Sequence, residues 1–312
     1  MLAGLAERLA PVFADGEPTL LTDDPELADW LGSSGLPVLT FDDLTGRDAL
    51  PTRIVAVPLD YGRIPSRRVL RDVLSGSSVL WVPLASFSPD LSTARYAVEK
   101  LLEVDFTRSV ANNRHLICRL MLARGDVTFS GPGTKLALRL PEVLQLSSRT
   151  RVDLLPDEHS TVGNYFEVAF SPADLAGRLD AGMSVSGTLR VDSVLVAKHR
   201  ELRGRTADQF TAATRVAEEM RRACPLNLSI VDSRIVGGLG PFADDIEALS
   251  GPEYRGAVTE VAIGTGALAP DGIDWSLNCL LNESAAGIHL GVGNGLTGMH
   301  FDFLATEAVL DG

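Results

Sequence analysis

Three strong metal-ligand types stand close together near the end of the chain, in GIHLGVGNGLTGMHFDFL over residues 287–304: His289, His300 and Asp302. Two of the chain's five histidines fall in this stretch. Residues two apart in a strand point to the same face. His300-Phe301-Asp302-Phe303 would therefore aim the imidazole and the carboxylate one way and both rings the other. Gly291, Gly293, Gly295 and Gly298 suit a tight turn that brings His289 back alongside. Two imidazoles and one carboxylate on adjacent strands can hold a divalent cation and leave positions open for substrate or water. The competing reading is a hairpin whose histidines are polar surface residues.

Two further acids fit the same chemistry. Glu167 in GNYFEVAFSP and Glu260 in GAVTEVAIGTG are each a lone acid in an otherwise apolar strand. A carboxylate that faces a core is costly unless it is paired, protonated or bound to a cation. Each is thus a metal-site candidate, unless its strand is an edge facing water. Glu283 in LNESAAG precedes His289 by six residues (289 − 283) and is a weaker candidate that also suits a turn. His115, His159 and His199 lie in polar or helical settings and read as structural or solvent-exposed.

Elements of two kinds must position these residues. After an amphipathic helix over residues 2–14, TLLTDD, PVLTFD, RIVAVPLD and SVLWVPLA read as strands. They alternate with helices in PELADWLGSSG, SRRVLRDVLSG and STARYAVEKLLEVD. That rhythm predicts a parallel α/β layer. No GxGxxG or GxxxxGK[ST] follows a strand, so no dinucleotide or P-loop site is indicated. Tyr61-Gly62-Arg63 falls just past a strand end, where open α/β sheets often bind ligands, but a plain loop is the preferred reading. HLICRLMLARG reads as a helix starting at His115, and beyond it alternating apolar residues and turn signals dominate. One helix, TADQFTAATRVAEEMRRACP, interrupts them. The expected fold is an α/β N-terminal layer, a reduced Rossmann-like domain over residues 1–125. An α+β C-terminal domain over residues 126–312 follows, with a mainly antiparallel sheet carrying the metal site.

Composition narrows the partners. The 312-residue chain carries a net charge of −13, which argues against nucleic acid and anionic membranes. No run of apolar residues is long enough to span a bilayer. Cys118, Cys224 and Cys279 are scattered and form no CxxC, as expected of reduced thiols in a cytoplasmic protein. The amino terminus lacks the pattern of a signal peptide.

In order, GPGTKLALRLP, GNYFEVAFSP, TEVAIGTG, GIHLGVGN and HFDF resemble the motifs of the thermophilic metallo-aminopeptidases, the aminopeptidase T and S family. The resemblance covers about residues 126–306. It implies metal ligands at Glu167, Glu260, His289, His300 and Asp302, holding a pair of divalent cations such as zinc, cobalt or manganese. It also implies Glu167 or Glu260 as the catalytic proton shuttle, and a homodimer. The departures are equally specific. His289 and His300 are only eleven residues apart (300 − 289), closer than is usual in that family. Leu296 stands near the place of an expected tyrosine, Phe166 replaces a glycine, and Lys135 replaces an aspartate. A lost tyrosine removes a plausible transition-state donor, worth about 3 kcal/mol in barrier height.

Three readings follow. One is metal-dependent aminopeptidase-type hydrolysis of a peptide or peptide-like small molecule, or a biosynthetic derivative of that reaction. Another is a non-catalytic peptide-binding protein of a biosynthetic pathway. The third is a mononuclear Fe(II) oxygenase using His289, His300 and Asp302, since ring-cleaving dihydroxypyridine dioxygenases resemble the same family.

Overall fold

A computed structural model describes residues 2–44, 49–123, 125–141, 144, 146–170, 183–202, 207–251, 254, 256–266, 268, 272–285 and 287–311. Strands Thr19–Thr22, Val38–Thr40, Arg53–Val57 and Ser78–Trp81 pair in parallel, as their alternation with helices predicts. Helices Pro25–Leu31, Arg67–Val73 and Leu91–Leu101 alternate with them. Asp24, Ser66 and Asp90 begin these helices by accepting from the backbone N–H of Leu27, Val69 and Thr93, which satisfies donors a helix start leaves open.

Two helices of the first half differ from the sequence expectation, and the second half adds a helix over Ala243–Ser250 to the one expected there. The amino-terminal helix is α-helical only over Leu5–Leu9 and continues as a 3₁₀ turn over Ala10–Phe13, where Pro11 lacks the N–H an α-helix would use. The helix expected from His115 begins earlier, at Phe106, because Asp105 caps it by accepting from Arg108 N–H.

A fifth parallel strand, His159–Thr161, comes from the second half of the chain and lies beside Ser78–Trp81. The two halves also share apolar core. Leu154, Val162, Tyr165, Phe166, Leu280 and Leu281 are buried in one cluster with Leu5, Phe13 and Phe106 from the first half. The Phe106 ring packs against Tyr165 at 5.1 Å and Phe166 at 5.0 Å between centroids, close enough to rigidify the turn before Glu167.

The second half builds two six-stranded antiparallel sheets. One has the spatial order Arg234–Gly237, Leu226–Val231, Ser184–Val191, Thr134–Arg139, Asp126–Gly131 and Val309–Leu310. The other runs Ser193–Ala197, His300–Ala305, Gly287–Val292, Val258–Gly264, Glu167–Phe170 and Leu146–Ser147. Both contribute to a second core that includes Leu136, Val185, Leu228, Val261, Leu290 and Phe303, together with Ala213 and Met220 of helix Ala207–Ala223. Among the described residues no helix is long and apolar enough to cross a membrane.

Candidate metal centre

Alternation along the second sheet sorts its residues cleanly. Val168, Val261, Ile263, Ile288, Leu290, Phe301 and Phe303 belong to the second core. The intervening residues Glu167, Glu260, His289, His300 and Asp302 therefore share the opposite face. Neither Glu167 nor Glu260 is on an edge strand, so the water-facing explanation for these acids does not hold. Register aligns Glu260 with Gly291 and Gly291 with Asp302, after a bulge between Val258 and Glu260. Ala262, His289 and Leu304 form the next row, and Glu167 lies opposite Gly264.

Gly291 leaves the room in which the site forms. A Cβ at this position would lie 2.4 Å from His300 Cε1, 2.5 Å from His300 Nε2 and 2.9 Å from Glu260 Cβ. The His300 ring thus lies across the strand beside it. His300 Nδ1 donates to the Gly293 carbonyl at 2.6 Å, because a carbonyl can only accept. That hydrogen bond orients the ring so that Nε2 faces Asp302 and Glu260, the orientation found at metal-ligating histidines.

The nitrogen and oxygen atoms converge closely. His300 Nε2 lies 2.8 Å from Asp302 Oδ1 and 3.3 Å from Glu260 Oε2. His289 Nε2 lies 3.7 Å from Glu283 Oε1 and 3.9 Å from Asp302 Oδ1. Yet Glu167 Oε2, His289 Nε2, His300 Nε2 and both Asp302 oxygens are buried without a hydrogen-bond partner. His300 and Asp302 make an ion pair at this distance, and the remaining buried atoms sit close together without regular hydrogen-bond geometry, a spacing that suits ligands sharing a cation. Two groups of ligand atoms each fall within 4.8 Å of one another: Glu167, Glu283 and His289, and Glu283, His300 and Asp302. The donor set, its unpartnered buried atoms and the space at Gly291 all fit a divalent ion, and Glu283 belongs to both groups.

Burial and like charge act together on the acids. Burial first, then Glu260 and Asp302, hold the Glu167 carboxyl well above the usual carboxylate range. Burial, then Asp302, Glu167 and Glu260, do the same to Glu283. Burial opposes charge on both His300 and Asp302, but each favours the charged form of the other. His300 is consequently raised well above the ordinary imidazole value and Asp302 is lowered.

The five ligands that the resemblance implies lie around one centre, and Glu283, the weaker candidate, joins them as a sixth. It ends the short helix Leu280–Glu283 and is 8% exposed. Its signal was the apolar run Cys279-Leu280-Leu281 just before it, all buried. Asn282 anchors that helix: its amide donates to the Asp274 and Leu277 carbonyls at 2.9 Å, and it accepts from Tyr96 OH at 2.7 Å. Asn113 anchors the approach to Glu167. Its amide donates to the carbonyls of Arg149, Asn164 and Tyr165, while its own oxygen accepts from the Thr265 hydroxyl. GNYFEVAFSP is a helical turn over Gly163–Phe166 before the strand Glu167–Phe170; its last two residues lie outside the described residues.

A family model described as "Crocagin biosynthetic protein CgnE/B" matches residues 15–311. No curated protein matches the chain. Among solved structures, the chain is similar to wild-type AmpT from Thermus thermophilus, with 16% identity, a TM-score of 0.49 and coverage of 100% of this chain and 94% of that one.

Proposed function

We propose that this chain, which belongs to the crocagin biosynthetic protein CgnE/B family, binds a divalent metal at the six-residue cluster and acts there on a peptide-like substrate in biosynthesis. The observation that supports this reading is the set of five buried ligand atoms on Glu167, His289, His300 and Asp302 without hydrogen-bond partners. Native proteins leave few such atoms unsatisfied, and a bound cation satisfies them together. Mixed nitrogen and oxygen donors suit zinc, cobalt or manganese. The shared position of Glu283 in both ligand groups favours two ions over one.

Such ions, when bound, polarise a carbonyl and make water a stronger nucleophile. The chain's own residues supply the rest. The Gly293 carbonyl accepts from His300 Nδ1, which leaves Nε2 as the ring nitrogen turned toward the acids and available to a cation once its proton is displaced. Glu260 has the most exposed side chain of the five residues in His–acid contacts, at 29%. On this reading its Oε2 takes a proton from an entering water and returns it to a leaving amine. Hydrolysis of an amino-terminal peptide bond is the simplest reaction of this class. The oxygenase reading is weaker, because Glu283 and Glu260 crowd the histidine nitrogens and occupy space that an iron triad keeps open.

A second reading, substrate binding without cleavage, has one observation in its favour. The side chains of His289 and Asp302 are only 1% and 0% exposed, which leaves little room for a peptide bond to approach. Elemental analysis of protein purified with iron protected from air tests the proposal. Two equivalents of zinc, cobalt or manganese, with release of amino-terminal residues from peptides, is the expected result. Metal without turnover selects the binding reading, and one iron with oxygen consumption selects the oxygenase. No metal after reconstitution overturns the metal site.

A further inference from the structure

Two cavities of about 670 and about 550 Å³ open beside the parallel sheet, and Tyr61, His199 and Arg200 line both. None of the six cluster residues lines either one. The smaller cavity opens beside Asp24 and Asp60, just past strands Thr19–Thr22 and Arg53–Val57. Between these neighbours the chain order of the sheet reverses, with Val38–Thr40 on one side and Ser78–Trp81 on the other. Open parallel sheets bind ligands in that crevice, outside the carboxyl ends of the strands. Here Asp23 already accepts from the N–H groups of Leu59 at 2.6 Å and Asp60 at 2.8 Å. The arginine donors gather around the larger cavity.

Those side chains are unusual for so acidic a chain. Against a net charge of −13, the larger cavity gathers Arg67, Arg71 and Arg200 with only two carboxylates, Asp157 and Glu201. Asp157 is engaged by the Gly76 N–H. Glu201 reaches Arg67 only at 4.0 Å, with both side chains about half exposed or more, at 46% and 65%, so that pairing is weak. Arg67 and Arg71 are one turn apart on helix Arg67–Val73 and share a face. Arg200 is held in place: it donates to the Pro65 carbonyl, and its guanidinium lies 5.6 Å from the centre of the Tyr61 ring. The Tyr61 hydroxyl is in turn hydrogen-bonded to Ser86 Oγ at 2.6 Å. Trp81 adds a second aromatic wall.

We propose that the larger cavity is a second ligand site, which takes a carboxylate-bearing molecule with an aromatic or apolar body. Arg200 and the Arg67/Arg71 pair receive the carboxylate, and Tyr61 and Trp81 receive the body. The planar guanidinium fork matches a carboxylate bidentately, and pre-positioning of Arg200 lowers the ordering cost of binding. The volume is ordinary for a small-ligand site. The same carboxylate chemistry is offered by a small acid and by the carboxyl terminus of a peptide.

Calorimetric titration of the full chain separates these cases. The probes are N-acetyl-L-tryptophan, a pentapeptide ending in tryptophan, and the carboxamide of each. Both acids should bind at least about tenfold more tightly than their amides. Equal affinity of the two acids identifies a small-acid site, and tighter binding of the pentapeptide identifies a peptide terminus reaching the adjoining cavity. Arg200→Ala and the double variant Arg67→Ala/Arg71→Ala should each weaken the acids by about tenfold. The double variant changes only exposed side chains, so it keeps the test open if Arg200→Ala fails to fold. Equal binding of acid and amide, no binding of either acid at millimolar concentration, or unchanged affinity in the folded double variant would overturn the proposal.

Discussion

The buried acid–histidine cluster and the arginine cavity handle charge in opposite ways. In the cluster, four carboxylates and two imidazoles meet behind a sheet, and five of their atoms are buried without partners. In the cavity, Arg67 and Arg71 remain exposed, and Arg200 is tied to a carbonyl and a tyrosine ring. Desolvated charge of one sign is tolerated only when something of the other sign enters; solvated charge needs nothing. On the proposed function the cluster takes up a cation, whereas the cavity needs no occupant to stay folded. Substitutions in the two regions should therefore differ in kind as well as in size.

The largest effect is expected from removing a ligand. Asp302→Ala and His289→Ala should each lower metal affinity by about a hundredfold or more, read by competition with a chelator. Circular dichroism should show both variants folded. Neither should change binding of N-acetyl-L-tryptophan at the cavity. Full metal content in both variants would remove the basis for the contrast.

Next comes Gly291→Ala, which adds one methyl where His300 and Glu260 already lie within 2.9 Å of it. Overpacking of this kind costs about 3 kcal/mol at the upper end. Thermal melts should show the loss, and metal binding should fall with it because the His300 ring must move. A variant as stable and as metal-rich as the parent would mean that the ring is not held across this strand.

How much of this was readable beforehand depended on local periodicity. HFDF carried its own instruction: alternation places His300 and Asp302 on one face and Phe301 and Phe303 in the core. Glu167 and Glu260 stood out as acids in apolar strands for the same reason. Glu283 did not, because a four-residue helix has no period to read, and its burial is imposed by segments far away in sequence. His159 and His199 read as incidental, yet both line the larger cavity. Nothing local marks them, since that wall is assembled from a fifth parallel strand and a loop after Ser193–Ala197. Tyr61-Gly62-Arg63, read as a plain loop, stands past the end of a parallel strand and lines the smaller cavity.

A smaller effect should come from Asn113→Ala, where the two regions share a wall. Asn113 donates to the carbonyl of Asn164, and Asn164 lines the larger cavity three residues before Glu167. The loss leaves buried carbonyls unpaired and should cost about 2 kcal/mol. Metal affinity should drop about tenfold as the turn before Glu167 loosens. Loss of stability with unchanged metal affinity would show that Asn113 supports the fold without positioning the ligand.

The smallest effect separates the regions most sharply, because its sign reverses. Glu283 titrates well above the ordinary carboxylate value in the folded chain. A raised folded value gives stability that is complete below the unfolded value and is lost as pH rises through the folded one. Glu167 acts in the same direction, as does His300, whose folded value is also raised. Asp302 is lowered and acts the other way, but only as pH falls below the usual carboxylate range. Metal-stripped protein should therefore melt at lower temperature as pH rises from mildly acidic to neutral. The metal-loaded form should show the opposite slope, since protons compete for the same ligands. Glu283→Gln should stabilise the stripped protein at neutral pH by about 1 kcal/mol while weakening metal binding. Arg71→Ala, in the exposed cavity wall, should leave both slopes unchanged. If Glu283→Gln instead lowers the melting temperature of the stripped form, the cluster is held together by hydrogen bonds and does not depend on a cation.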